Sequence, residues 1–230
     1  MTKITWLGHG TVQLQFASGE VLVLDPWLEN SKYPKGHKFE RVDAIAVSHG
    51  HFDHIQDVIP LAKKFSPKVV AIFETAHWLE SKKVENTIGM NKGGTVDLGF
   101  VKLTMTHAIH SCGILDEGKI IYGGEAAGYV LTLRDDRRIY MAGDTNVFSD
   151  MALIQELYRP ELAFLPIGDH FTMSPYEAAK AARLLKAKKV VPLHFGTFPA
   201  LTGRPETLSE NLKGEAIEVW TLEPGKTVEW

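Results

Sequence analysis

The stretch SHGHFDH, residues 48–54, holds three histidines and an aspartate within seven residues. Imidazoles and a carboxylate crowded this closely have no cheap structural role, because each polar group must find a partner or water. The run DAIAVS, residues 43–48, reads as a buried strand, so the cluster starts where a strand ends. Strand-end loops are where a rigid scaffold places reactive groups. Side chains two apart in an extended segment point the same way. His49 and His51 are therefore expected to converge on one ion, with Asp53 and His54, past the turn, facing a second beside it. Imidazole with carboxylate and no thiolate suits Zn²⁺, Mn²⁺ or Fe²⁺ at a reactive site rather than a structural zinc site.

These ligands cannot fill two coordination spheres, so the pattern demands more. His110 ends VKLTMTHAIH, Asp144 sits in MAGDT, and His194 sits in VVPLHF. Each lies at a strand end, and each reads equally well as a separate polar loop residue. A carboxylate can bridge two cations, which a histidine cannot do at one nitrogen. The expected spheres are then His49, His51, His110 and Asp144 for one ion, and Asp53, His54, His194 and Asp144 for the other, with room for solvent at each.

Outward from the cluster, the chain begins and ends in β-structure. Residues 11–16 alternate apolar and polar, ASGE is a turn, and VLVLD is a more buried strand, which together make a hairpin. ENSKYPKGHKFE is a loop. A helix follows the cluster, capped by Asp57, with Pro60 tolerable in its first turn. KVVAIF is a strand and residues 75–83 a short helix. Two strands flank Leu98 and Gly99, and a hairpin with a charged turn spans GYVLTLRDDRRIYMAGDT. Residues 150–158 are helical and ELAFLPIG is a strand. SPYEAAKAARLLKAKK is a helix with Ser174 as N-cap, Pro175 in its first position and Glu177 completing a capping box. VVPLHF, AIEVWTL and KTVEW supply the last strands. Strand and helix alternating between β-rich ends predict sheets packed together with helices outside.

Composition limits the function. The 230 residues are 44% hydrophobic and 23% charged, ordinary for one globular domain spanning residues 1–230. A net charge of -3 argues against nucleic acid, which needs a basic face. The single cysteine, Cys112, forms no internal disulfide and fits a cytoplasmic location. The opening MTKITWLGHG has no apolar signal core, and no apolar run reaches the length of a membrane span. The expected partner is a small-molecule substrate, with no membrane, and self-association into a homo-oligomer left open.

SHGHFDH also matches the His-x-His-x-Asp-His signature of the metallo-β-lactamase superfamily, and AIHS, AGDT and PLHFGTFP resemble its later ligand motifs. ITWLGHG, LDPWL and LPIGDHFTMSPYEAAKAA resemble one branch, the small metal-dependent hydrolases related to ascorbate-6-phosphate lactonase. This resemblance spans nearly the whole chain. It implies an α/β fold, a four-layer αββα sandwich of two mixed sheets with helices outside and the site at one edge. It also implies that His110, Asp144 and His194 are the remaining ligands. Di-iron redox members tend to carry Glu where this chain has His51, which lowers an oxygen-reductase reading. Nuclease members carry large inserted domains or a basic arm, and this chain shows no candidate for either.

The expected chemistry is hydrolysis of a small ester, lactone or phosphorylated metabolite by a hydroxide bridging two ions about 3.5–4 Å apart. Zn²⁺ leads, with Mn²⁺ and Fe²⁺ as alternatives. Asp144 bridges, and Asp53 ligates and orients the hydroxide or shuttles its proton. Asp25 can accept the N–H of a ligand histidine and fix its tautomer, or simply make a turn before Pro26. His9 sits near the metal edge or is a buried histidine on a Gly-flanked turn. Asp169, His170 and Thr172 line the pocket by resemblance, or only lead into Ser174. Thr197 and Phe198 close over the substrate. His37, His77 and His107 read as ordinary, Cys112 as a buried thiol, and Trp6, Trp27 and Trp78 as core. Competing functions are a metal-dependent phosphodiesterase or nuclease, a non-enzymatic metal-binding protein, and a mononuclear iron dioxygenase.

Overall fold

A computed structural model describes every residue from Met1 to Trp230. In chain order, the first half carries β1 (Lys3–Trp6), β2 (Val12–Gln15), β3 (Val21–Leu24), β4 (Ala44–Ala46), α1 (Phe52–Ile55), α2 (Val58–Phe65), β5 (Lys68–Ile72), α3 (Phe73–Ser81) and β6 (Thr87–Met90). Next come β7 (Thr95–Asp97), β8 (Val101–His107), β9 (Gly113–Asp116), β10 (Lys119–Tyr122), β11 (Ala127–Leu133) and β12 (Arg138–Met141). The last are α4 (Met151–Tyr158), β13 (Leu162–Pro166), α5 (Pro175–Leu185), β14 (Lys189–Leu193), α6 (Pro205–Asn211), β15 (Glu218–Val219) and β16 (Thr227–Glu229).

The chain divides into two compact units. The first comprises Met1–Asn91, Ser111–Ala126 and Glu223–Trp230. Its seven-stranded sheet runs β16-β1-β2-β3-β4-β5-β6. β16, β1, β2 and β3 pair antiparallel, and β3 to β6 pair parallel. Val12 and Leu14 are buried while Gln13 and Gln15 are half-buried, as the alternation predicts, and β3 is buried at all four residues. β3 stands where the antiparallel half meets the parallel half and is covered on both faces, so it reads as an unbroken apolar run. Leu61, Ala62, Ala76 and Leu79 of α2 and α3 pack with Val23, Ile45 and Val69.

The second unit comprises Lys92–His110 and Ala127–Leu222. Its seven-stranded sheet runs β15-β14-β13-β12-β11-β8-β7, with the four strands from β12 to β15 parallel and β7, β8 and β11 antiparallel. Helices α4, α5 and α6 bury Met151, Ile154, Ala178, Ala182, Leu185 and Leu208 against Val130, Tyr140, Ala163 and Val190. Ser174 caps α5: its hydroxyl accepts from Glu177 N–H, and the Glu177 carboxylate accepts from Ser174 N–H in return.

Three local expectations change. Asp57 stands at the N-cap of α2, but its Oδ2 accepts from Leu28 N–H at 2.6 Å and makes no cap bond. The helix expected over residues 75–83 spans Phe73–Ser81, because Lys83 turns left-handed at φ 67° and ends it. The β9–β10 hairpin, β6 and α6 were not foreseen. Gly113 pairs with Tyr122 and Ile114 with Ile121, so Ile114 turns into the first unit while Leu115 and Ile120 face solvent.

Candidate metal centre

In the first unit, β3 and β4 are parallel neighbours, so the residues just past their C-terminal ends meet. Asp25 follows β3, and Ser48 and His49 follow β4. Asp25 takes a left-handed φ of 45°, a conformation that Asp tolerates better than most residues. Its buried carboxylate accepts Ser48 N–H at 2.7 Å, the Ser48 hydroxyl at 2.6 Å and His54 Nδ1 at 2.9 Å.

This network fixes protons. A carboxylate only accepts, so the single Ser48 hydroxyl proton points at Asp25. The same oxygen then accepts from His49 Nδ1–H, 2.9 Å away. His49 therefore has its lone pair on Nε2. His54 gives its Nδ1 proton to Asp25 and also carries its lone pair on Nε2. One carboxylate thus sets the tautomer of two histidines, one directly and one through Ser48.

His51 Nδ1 lies 3.0 Å from His49 Nε2. Two nitrogens bound to one tetrahedral ion at about 2.0–2.1 Å would stand about 3.3 Å apart, so the pair is close enough to share an ion as well as a hydrogen bond. Ser111 Oγ lies 3.1 Å from His51 Nε2, and a hydroxyl serves either proton position on that ring. His54 stacks obliquely beside His49, ring centroids 4.2 Å apart. Asp53 enters from α1, with His54 Nε2 at 3.8 Å from its Oδ2. His9 Nε2 donates to that Oδ2 at 2.8 Å. His9 is fully buried with a left-handed φ of 50°, so the Gly-flanked turn aims it at Asp53.

Two glycines make the crowding feasible. A Cβ on Gly10 would come within 2.9 Å of His54 Cε1, and one on Gly50 within 2.4 Å of Ile114 Cγ1. Cys112 stands behind this backbone, accepting from Gly50 N–H at 3.2 Å and donating to Gly123 O at 3.2 Å. It is a structural thiol, as expected.

The second unit gathers three more donors by the same topology. β12, β13 and β14 are parallel neighbours, with Asp144 past the end of β12 and His194 past the end of β14. Asp144 Oδ2 lies 2.9 Å from His194 Nε2 and 3.8 Å from His110 Nε2. The neighbouring backbone is tied down. The buried Thr145 hydroxyl accepts from Ile109 N–H at 3.0 Å and donates to Asn146 O at 2.8 Å. One carboxylate oxygen between two histidines is the arrangement expected of a shared ligand.

Asp169 and His170 lie exposed in the loop after β13, Thr172 is half-buried there, and Thr197 is half-buried after His194. His107 pairs with Lys92 Nζ at 3.0 Å on the exposed end of β8, and His77 is exposed on α3. Trp6 and Trp27 are core, and Trp78 is partly buried with its indole N–H on Asp116. Sequence reasoning missed Ser48 and Ser111. Their signal was only adjacency, each standing beside a histidine of the cluster.

A family model described as the beta-lactamase superfamily domain matches residues 21–195. The chain is also 69% identical over 229 residues to a UPF0173 metal-dependent hydrolase of Solibacter usitatus, covering 99% of this chain and 100% of that one. This chain belongs to the UPF0173 metal-dependent hydrolase family of the beta-lactamase superfamily. A family member from Koribacter versatilis is 51% identical over 227 residues, covering 98% and 97% of the two chains. Among solved structures, Igni18, a metallo hydrolase of the archaeon Ignicoccus hospitalis, superposes with a TM-score of 0.88 at 30% identity over 100% of this chain and 99% of that one. The metallo-beta-lactamase fold protein YhfI of Bacillus subtilis, at 16% identity and TM-score 0.76 over 100% and 99% of the chains, shares the fold alone. The α/β class and the two large mixed sheets read from the sequence are those of the metallo-β-lactamase fold.

The family implies a metal, and the donor set fits one. Buried imidazoles whose proton positions are fixed by other side chains, set beside carboxylates and without a thiolate, suit a hard or borderline divalent cation.

Proposed function

We propose that this protein hydrolyses a small ester, lactone or phosphorylated metabolite with two divalent cations, zinc first and manganese or iron as alternatives. His49, His51, His110 and Asp144 would hold one cation, and Asp53, His54, His194 and Asp144 the other. When bound, such cations lower the pKa of water towards neutrality and polarise a carbonyl or phosphoryl oxygen. The chain's own contribution is positional. Asp25 and Ser48 hold His49 and His54 with Nε2 as the donor atom, so binding a cation costs no proton rearrangement there. Asp53, steadied through Oδ2 by His9, would orient water and carry its proton. Thr197 and Phe198 would close over the substrate.

The observation that carries this reading is the Asp25–Ser48 network, because ligand histidines are held by an outer carboxylate or hydroxyl in this way. A buried cysteine without a disulfide and an acidic net charge favour a cytoplasmic enzyme of small molecules over a nucleic-acid enzyme. No helix is long and apolar enough to cross a membrane.

The test is a screen of lactones, p-nitrophenyl esters, thioesters and phosphodiesters against protein reconstituted separately with zinc, manganese and iron. Chelator-sensitive turnover of an ester or lactone is the expected result. Turnover of bis(p-nitrophenyl) phosphate alone would make it a phosphodiesterase. Two bound ions with no turnover would point to a metal-binding protein.

A further inference from the structure

β13 lies between β12 and β14, and all three run parallel. Their C-terminal ends therefore open on one edge of the sheet. In parallel sheets, ligands bind outside that edge. The loop after β12 carries Asp144 and the residue after β14 is His194, so the loop after β13 emerges between them. It presents Asp169, His170 and Phe171.

That loop is held on both sides. Met173 N–H donates to Thr145 O at 3.2 Å, one residue from Asp144. On the other side Gly203 N–H donates to Gly168 O at 3.2 Å, and a Cβ on Gly168 would fall 2.1 Å from His194 O. Glycine at 168 is what lets the loop lie against the His194 backbone.

Within this frame the tip is shaped outward. Asp169 and His170 both take left-handed backbone, φ 65° and 56°, and the Asp169 carboxylate is used internally, accepting His170 N–H at 2.8 Å. The result is an exposed aromatic pair: the His170 and Phe171 rings meet edge to face at 4.4 Å, with Phe171 54% exposed. Preparing the cap of α5 requires none of this, since Ser174 and Glu177 complete that cap by themselves. A single exposed phenylalanine is ordinary on a surface. One paired with an imidazole, on a braced loop between two ligand loops, is placed to meet a substrate.

We propose that His170 and Phe171 are specificity-determining residues that receive an aromatic substituent next to the hydrolysed bond. The Phe171 ring packs against that group edge to face or offset, the geometry aromatic quadrupoles favour. The His170 imidazole supplies a hydrogen-bonding group beside it. The substrate class is then an aryl-bearing small acid derivative. This rests on the reading of Asp144 and His194 as ligands of a hydrolytic centre.

The experiment has two arms. In the first, zinc-loaded wild type and Phe171→Ala are assayed on p-nitrophenyl phenylacetate and p-nitrophenyl acetate. The variant should lose about tenfold or more in the ratio of the two kcat/KM values, mostly through KM, with metal content unchanged. In the second, zinc-loaded protein is titrated with phenylacetate or acetate while the His170 ring signal is followed by NMR. The assignment comes from the signal's absence in His170→Gln. Phenylacetate should shift that signal at concentrations where acetate does not, and Phe171→Ala should weaken the response about tenfold. No shift, or an unchanged response in Phe171→Ala, overturns the inference whatever the turnover arm shows. Selective binding without turnover of either ester supports aryl recognition by this loop and counts against the ester arm of the proposed function. Turnover whose selectivity ignores Phe171 does the reverse.

Discussion

Asp25→Asn is the substitution that most directly tests the tautomer network. Asn tolerates the left-handed φ of 45° as well as Asp does, so the backbone should stay in place. Asn Oδ1 can still accept Ser48 N–H, the bond now 2.7 Å long. The other oxygen, which takes both the Ser48 hydroxyl and His54 Nδ1, becomes an NH₂ group. Two proton positions must then reverse. His54 faces a donor at Nδ1, so its proton moves to Nε2. Ser48 must accept from the amide, so it gives its own proton to His49 Nδ1, and the His49 proton also moves to Nε2. Both rings then carry a proton on the atom proposed to meet a cation. Loss of such outer support costs about 10–100-fold in metal affinity, or roughly 1.4–2.8 kcal/mol per ion. The metal-free fold should suffer less, because the bonds are remade with reversed polarity. Each falls from charge-assisted to neutral strength, a loss of about 1 kcal/mol apiece. Competition with a chromophoric chelator reads the affinity, and ¹⁵N NMR of the metal-free protein reads the tautomers. If His54 keeps its Nδ1 proton in the variant and metal affinity stays within about threefold of wild type, the argument fails.

Other outcomes follow from neighbouring features. Asp144→Ala should lose metal at both positions, since one carboxylate oxygen lies 2.9 Å and 3.8 Å from two histidines, whereas His194→Ala should empty mainly one. Elemental analysis showing two ions per chain in Asp144→Ala would refute the shared ligand. Ser174→Ala removes the hydroxyl that accepts Glu177 N–H and leaves the backbone N–H that donates to the Glu177 carboxylate; it should cost about 1 kcal/mol, a fall in Tm of roughly 2–4 °C by calorimetry. Asp57 has its pKa raised, first by burial and then by repulsion from Glu29, against a lowering from its bond to Leu28 N–H. A raised carboxyl pKa means the folded state binds the proton more tightly, so this group's contribution is fully present below its unfolded pKa and is lost as pH rises through the folded one. Asp57→Asn keeps an acceptor for Leu28 N–H, so it should raise Tm at neutral pH and change little well below the ordinary carboxylate range. A variant that melts lower at neutral pH would contradict that sign.

The residues within SHGHFDH announced themselves locally, because a metal cluster needs its donors dense and the two-residue spacing of extended chain aims His49 and His51 together. The hairpin of β2 and β3 and the capped helix α5 were equally legible, since alternation and capping are properties of a few consecutive residues. The partners of the cluster were legible only in part. Asp25 and His9 stood out as candidates, but which group each meets depends on the fold, as when β3 and β4 lie side by side and parallel, and Ser48 and Ser111 carried no signal beyond adjacency to a histidine. Asp57 shows the same limit in reverse. Its sequence position called for a helix cap, and the fold brought Leu28 N–H to it instead. What the sequence alone determined is which side chains are candidates to hold a cation. Which nitrogen of each imidazole carries the proton was decided by the tertiary structure, because a tautomer is set by the one neighbour that the second ring nitrogen meets in space.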